Sequence, residues 1–94
     1  MKRILVVEDE KSIQNIIKAF LKNEKYNVET ADDGLEAINI LQDHNYDLIL
    51  LDLMLPKIDG YAVCEMIRKK SNVPIIILTA LTDEESQIKG FDKL

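Results

Sequence analysis

Apolar residues along the chain follow two alternating periods. Ile4–Val7 is an unbroken apolar run, the form expected of a strand covered on both faces. Ile13, Ile16, Ile17, Phe20 and Leu21 then recur at spacings of mostly three and four, which predicts a helix with one apolar stripe. Tyr26–Ala31 reads as a more exposed strand, with Asp32-Asp33-Gly34 as a turn. Leu35, Ile38 and Leu41 mark a second helix, and Leu48–Leu51 a third strand. The stretch from Leu53 to Gly60 contains Pro56 and is a loop, and Asp59 is placed to cap a helix that buries Val63, Met66 and Ile67. Val73–Leu78 is the fourth and most apolar strand, and Thr82-Asp83-Glu84-Glu85 has the pattern of a capping box opening a fourth helix with Ile88 and Phe91.

Strand and helix alternate four times without a repeat or a linker. Parallel strands joined by right-handed crossovers give an α/β, doubly wound sheet. In such sheets the working site lies beyond the carboxyl ends of the strands. Within its 94 residues there is room for one domain. The composition, 47% hydrophobic and 31% charged, is that of an ordinary globular domain. The net charge of −5 argues against direct nucleic-acid contact by this segment, which would need clustered Lys and Arg. Arg68-Lys69-Lys70 falls late in a helix, where it complements the negative helix end. Cys64 is the only cysteine, so it has no disulfide partner in the chain and reads as a reduced, partly packed thiol. The apolar run after Met1-Lys2-Arg3 ends at Glu8-Asp9-Glu10, too short for a membrane span or a secretory leader, and the expectation is a cytoplasmic protein.

The chemistry sits at the strand ends. The first strand ends in Glu8-Asp9, the third in Asp52 and the fourth in Thr79, so three carboxylates and a hydroxyl fall on one edge of the sheet. Two like charges about 4 Å apart repel by roughly 4 kcal/mol at an effective dielectric near 20. A hard divalent cation relieves that repulsion, and oxygen-only donors suit Mg²⁺ or Mn²⁺. A carboxylate beside such a cation is a nucleophile for an incoming phosphoryl group, which Thr79 can meet with a hydrogen bond. The residues alone thus suggest acyl-phosphate formation on an aspartate.

Three stretches carry a resemblance: Val6-Val7-Glu8-Asp9-Glu10, the run from Leu50 through Asp52 and Pro56 to Gly60, and Val73-Pro74-Ile75-Ile76-Ile77-Leu78-Thr79-Ala80. They resemble the receiver domains of bacterial two-component response regulators, which have a CheY-like, flavodoxin-like fold. The resemblance spans the whole chain and implies strand order 2-1-3-4 here. It implies Asp52 as phosphoacceptor, with Mg²⁺ held by Glu8, Asp9, Asp52 and the backbone carbonyl of Met54. Thr79 would follow the phosphoryl group and move on activation. The implied donor is a phosphohistidine on a sensor histidine kinase docking near the first helix, and the implied role is phosphorelay signalling rather than turnover as an enzyme. His44 is not that histidine and reads as a solvated side chain. The Ile88–Asp92 run resembles receivers that precede a winged-helix, DNA-binding transcription regulator.

The family pattern continues into a fifth strand and fifth helix, with a Lys-Pro pair whose lysine reads the phosphoryl charge. No Lys-Pro pair occurs in this chain, so residues 1–94 are expected to form a receiver lacking that strand, helix and switch lysine, impaired in switching. The exposed fourth strand would then favour self-association. A rival phosphatase reading, with a strand-end Asp nucleophile, needs an acid/base Asp two residues on, where this chain has Met54. A nucleotide- or flavin-binding reading needs a glycine-rich turn after the first strand, where this chain has Glu8-Asp9-Glu10-Lys11. The remaining alternative is an interaction or dimerisation module that is never phosphorylated, and a Mg²⁺ titration separates it from the receiver.

Overall fold

A computed structural model describes residues 1–52 and 59–78. The elements run β1 (Arg3–Val7), α1 (Lys11–Asn23), β2 (Asn27–Ala31), α2 (Gly34–Asp43), β3 (Leu48–Asp52), α3 (Gly60–Arg68) and β4 (Ile75–Leu78). All pairings are parallel and the strand order is β2-β1-β3-β4, as the resemblance implies. The expected fourth helix, Thr79 and Met54 lie outside the described residues.

Strand side chains alternate between the two faces of the sheet, which sorts the core into two layers. Leu5, Val7, Ile49, Leu51, Ile75 and Ile77 point to one face, where they meet Ala37 of α2 and Val63, Cys64 and Ile67 of α3. Ile4, Val6 and Val28 point to the other, packed with Ile17 and Leu21 of α1 and with Leu48 and Leu50. Leu5, Val6, Val7, Ile49 and Leu51 are fully enclosed. Each such side chain contributes about 1.5–3 kcal/mol of hydrophobic stabilisation. Cys64 is a free thiol and is buried more fully than its sequence suggests.

The starts of α2 and α3 follow sequence chemistry, whereas Glu10 at the start of α1 makes no side-chain cap. Asp33 caps α2 by accepting from the Glu36 N–H at 2.8 Å, and Asp59 caps α3 by accepting from the Tyr61 N–H at 3.1 Å. At the end of α1, the Tyr26 N–H reaches the Leu21 carbonyl and the Lys25 N–H that of Lys22, a Schellman closure. This closure puts Lys25 in the left-handed region at φ 69°. It also takes Tyr26 out of the strand that its sequence predicts, so β2 begins at Asn27. Likewise β4 begins at Ile75 rather than Val73.

Two helix faces differ from expectation. Ile16 and Phe20 of α1 are 70% and 65% exposed, whereas Gln14 is buried. The inward line is therefore Gln14, Ile17 and Leu21, which share the same three-and-four spacing. On α3, Met66 is exposed and Cys64 takes the inward place beside Val63 and Ile67. His44 follows α2 in extended backbone and is exposed. Arg68 donates to the carbonyls of Ser71 and Val73, bracing the approach to β4.

The amino end of the sheet is held by a polar clasp. The Arg3 N–H donates to the Asp47 carboxylate and the Asp47 N–H to the Arg3 carbonyl, both at 2.8 Å. The Arg3 guanidinium pairs with Glu29 at 2.8 Å and lies 4.8 Å from the centre of the Tyr46 ring, whose hydroxyl donates to Glu29. Among the described residues, no helix is long and apolar enough to cross a membrane.

Candidate metal centre

The site grows out of the pairing of β1 and β3. Val7 lies opposite Leu51 in the parallel register, so the next residue on each chain, Glu8 and Asp52, emerges at the same level beyond the enclosed core. Asp9 follows Glu8 into the turn before α1. One carboxylate oxygen from each of Glu8, Asp9 and Asp52 can be chosen such that all lie within 4.8 Å of one another. Glu8 and Asp52 are buried and Asp9 is exposed.

Burial pushes the Glu8 carboxyl up to about 7. A hydrogen bond from the Glu10 N–H, 3.1 Å from Oε2, works against that rise, and the negative charge of Asp52 adds to it. Holding three carboxylates this close in a partly dry place is unfavourable without a counter-charge. The donor set fits a hard divalent cation: three carboxylate groups, with no nitrogen or sulfur among them. Exposed Asp9 leaves the site open towards solvent, which suits an ion that keeps part of its water shell.

The structure thus brings together Glu8, Asp9 and Asp52, which sequence patterning singles out. Thr79 and Met54 lie outside the described residues. Sequence reasoning missed the support around Glu8. The Gln14 side-chain amide donates to the Glu8 carbonyl at 2.9 Å and to Asp32 Oδ1 at 3.0 Å. Asp32 also receives Lys11 Nζ at 2.7 Å, and Lys11 and Gln14 hold its carboxyl below the usual carboxylate range. The available signal was periodicity, since Gln14 precedes Ile17 and Leu21 on the inward line of α1.

This acidic cluster at the carboxyl edge of a 2-1-3-4 parallel sheet is the arrangement of a receiver domain. The chain belongs to the response regulator receiver domain family, whose pattern it matches over residues 4–93. It is 50% identical over 91 residues to the probable transcriptional regulator ycf27 of Cyanophora paradoxa, covering 97% of this chain and 38% of that protein. It is 47% identical over 90 residues to the transcriptional regulatory protein ResD of Bacillus subtilis, covering 96% of this chain and 38% of that protein. The chain therefore spans well under half the length of these relatives. Among solved structures it resembles the response regulator TrrA of Thermotoga maritima in complex with Mg²⁺-BeF, with TM-score 0.86, 42% identity and coverage of 97% of this chain and 80% of that one. It also resembles the chemotaxis response regulator CheY4 of Vibrio cholerae, with TM-score 0.89, 32% identity and coverage of 99% and 80%.

Proposed function

We propose that this chain accepts a phosphoryl group from a phosphohistidine of a sensor histidine kinase onto Asp52, in a site that holds Mg²⁺ or Mn²⁺. The observation that carries the reading is the convergence of Glu8, Asp9 and Asp52 within 4.8 Å at the carboxyl ends of β1 and β3. A carboxylate oxygen of Asp52 attacks phosphorus, the P–N bond to the histidine breaks, and the imidazole leaves with a proton from solvent. The product is an aspartyl phosphate. Glu8, Asp9, Asp52 and the Met54 carbonyl would hold the cation, which supplies positive charge against the phosphoryl oxygens. Thr79 would donate a hydrogen bond to one of those oxygens.

Partner and output belong to the same reading. TrrA has been solved in complex with the histidine kinase ThkA. Here Ile16 and Phe20 give α1 an exposed apolar face suited to a kinase helix. ResD and ycf27 are named as transcriptional regulators, which supports transcriptional control as the output of the whole protein, in the cytoplasm. The apolar β4, with Ile76 43% exposed, would also support self-association, which light scattering tests with Ile76→Lys expected to shift the chain towards monomer.

Incubation with a phosphorylated histidine kinase and Mg²⁺ tests the central claim. The chain should gain one phosphoryl group, readable by intact mass, and Asp52→Ala should gain none. A chain that binds no Mg²⁺ and takes up no phosphoryl group would instead be a pure interaction module.

A further inference from the structure

Gln14 is a polar residue in an apolar place. It occupies the inward line of α1 ahead of Ile17 and Leu21 and is only 3% exposed. An apolar side chain there would keep the packing and avoid desolvating an amide. Both of its amide hydrogens are used, one on the Glu8 carbonyl and one on Asp32 Oδ1. Both partners are acceptors, so the amide has one workable orientation: turned over, its oxygen would face two other oxygens. Lys11 holds Asp32 from the other side at 2.7 Å, which steadies that acceptor.

The effect is concentrated on the Glu8 backbone. Its N–H donates to the Ala31 carbonyl of β2 at 3.1 Å, and its carbonyl accepts from Gln14 at 2.9 Å. The Glu8 residue is thus held through the peptide on each side of its Cα, one by a strand and one by a helix, and its side chain starts from a fixed point. Without the clamp, a carboxylate repelled by Asp52 would relax by turning outward to water. We propose that Gln14 is a positioning residue for the cation site: it holds the Glu8 carbonyl so that the Glu8 and Asp52 carboxylates stay together and ready for the ion. The inference rests on the receiver reading above and adds a residue that never touches the ion.

Calorimetric titration of the chain with Mg²⁺, beside Gln14→Met and Gln14→Arg, tests it. Methionine keeps the length and volume but has no donor, whereas arginine can serve both acceptors. Gln14→Met should weaken Mg²⁺ binding roughly tenfold, the low end of what loss of an outer-shell partner costs. Gln14→Arg should recover most of that loss. A merely structural role would lower the metal-free melting temperature of Gln14→Met and leave the Mg²⁺ affinity of its folded form unchanged, which overturns the inference and leaves the receiver reading standing. Equal weakening by methionine and arginine overturns it as well. Absence of Mg²⁺ binding in the unsubstituted chain overturns both. If Gln14→Met does not fold, Asp32→Ala replaces it: this removes the second anchor of the amide at a half-exposed carboxylate. Its affinity should also fall, and unchanged affinity overturns the proposal.

Discussion

Glu8 and Asp52 emerge side by side because Val7 and Leu51, the residues before them, are paired across β1 and β3. Their shared burial makes each the other's unfavourable neighbour. Asp52→Asn should lower the Glu8 pKa from about 7 without returning it to the ordinary 4.5, because burial rather than Asp52 is the larger cause. A carboxyl-carbon NMR titration of Glu8 in both proteins measures this. A full return to the ordinary value would make Asp52 the dominant cause.

The same shift has a consequence for stability. Folded Glu8 binds its proton more tightly than the unfolded chain does, so between about pH 4.5 and 7 the folded state carries the extra proton. The contribution is fully present below pH 4.5 and is lost as pH rises through about 7. Without metal, this group should therefore make the chain less stable at pH 8 than at pH 5. On the proposed reading Mg²⁺ would bind the deprotonated form, so it should stabilise the chain more at pH 8, by about 2.7 kcal/mol at a hundred times its Kd. Urea melts at both pH values, with EDTA or Mg²⁺, read the difference.

Lys25 is the one non-glycine residue with positive φ among those described. A side chain in that region carries a cost that glycine avoids, and the Schellman closure of α1 requires the conformation. Lys25→Gly should raise stability by about 0.5–1 kcal/mol, relief of left-handed strain less the entropic cost of glycine. Thermal or urea melts measure it, and destabilisation would show that the lysine side chain makes a compensating contact.

At the other end of the sheet, the Tyr46 hydroxyl and Arg3 share Glu29. The hydrogen bond from Tyr46 is the largest cause holding the Glu29 carboxyl below its usual range, while burial and then Glu29 push Tyr46 up to about 12. Tyr46→Phe should cost about 0.5–1.5 kcal/mol at neutral pH. It should also move the Glu29 titration back towards the ordinary range, leaving Arg3 and, more weakly, His44 to hold it down. The Glu29 contribution is present above pH 4.5 and fades as pH falls through its lowered folded value. The cost of Tyr46→Phe should therefore shrink in acid.

The layers and the acidic edge were legible in the sequence because two periods encode them. Unbroken runs at Ile4–Val7 and Leu48–Leu51 marked strands covered on both faces, and their ends marked Glu8 and Asp52. The faces of α1 and α3 were less legible. Hydrophobicity drew Ile16, Phe20 and Met66 inward, but geometry admits only the line that faces the sheet, and Gln14 and Cys64 occupy it instead. Strand starts shifted for local reasons: Tyr26 is spent on closing α1, and β4 begins only after Pro74, which has no N–H to donate to a ladder. The support of Glu8 was hidden because hydrogen bonds among Gln14, Asp32 and a backbone carbonyl leave no periodic trace.

Because Glu8 and Asp52 become neighbours only when β1 lies against β3, the acidic pocket is a record of chain assembly. An unfolded chain keeps these groups apart and offers the ion no shared place to sit. Two strands that are separated along the chain by α1, β2 and α2 must dock directly against each other. Uptake of Mg²⁺ during refolding should lag behind helix formation and keep pace with the closing of this central pair. The ion would then serve as a clock for the sheet, read by stopped-flow refolding with a Mg²⁺-sensitive dye.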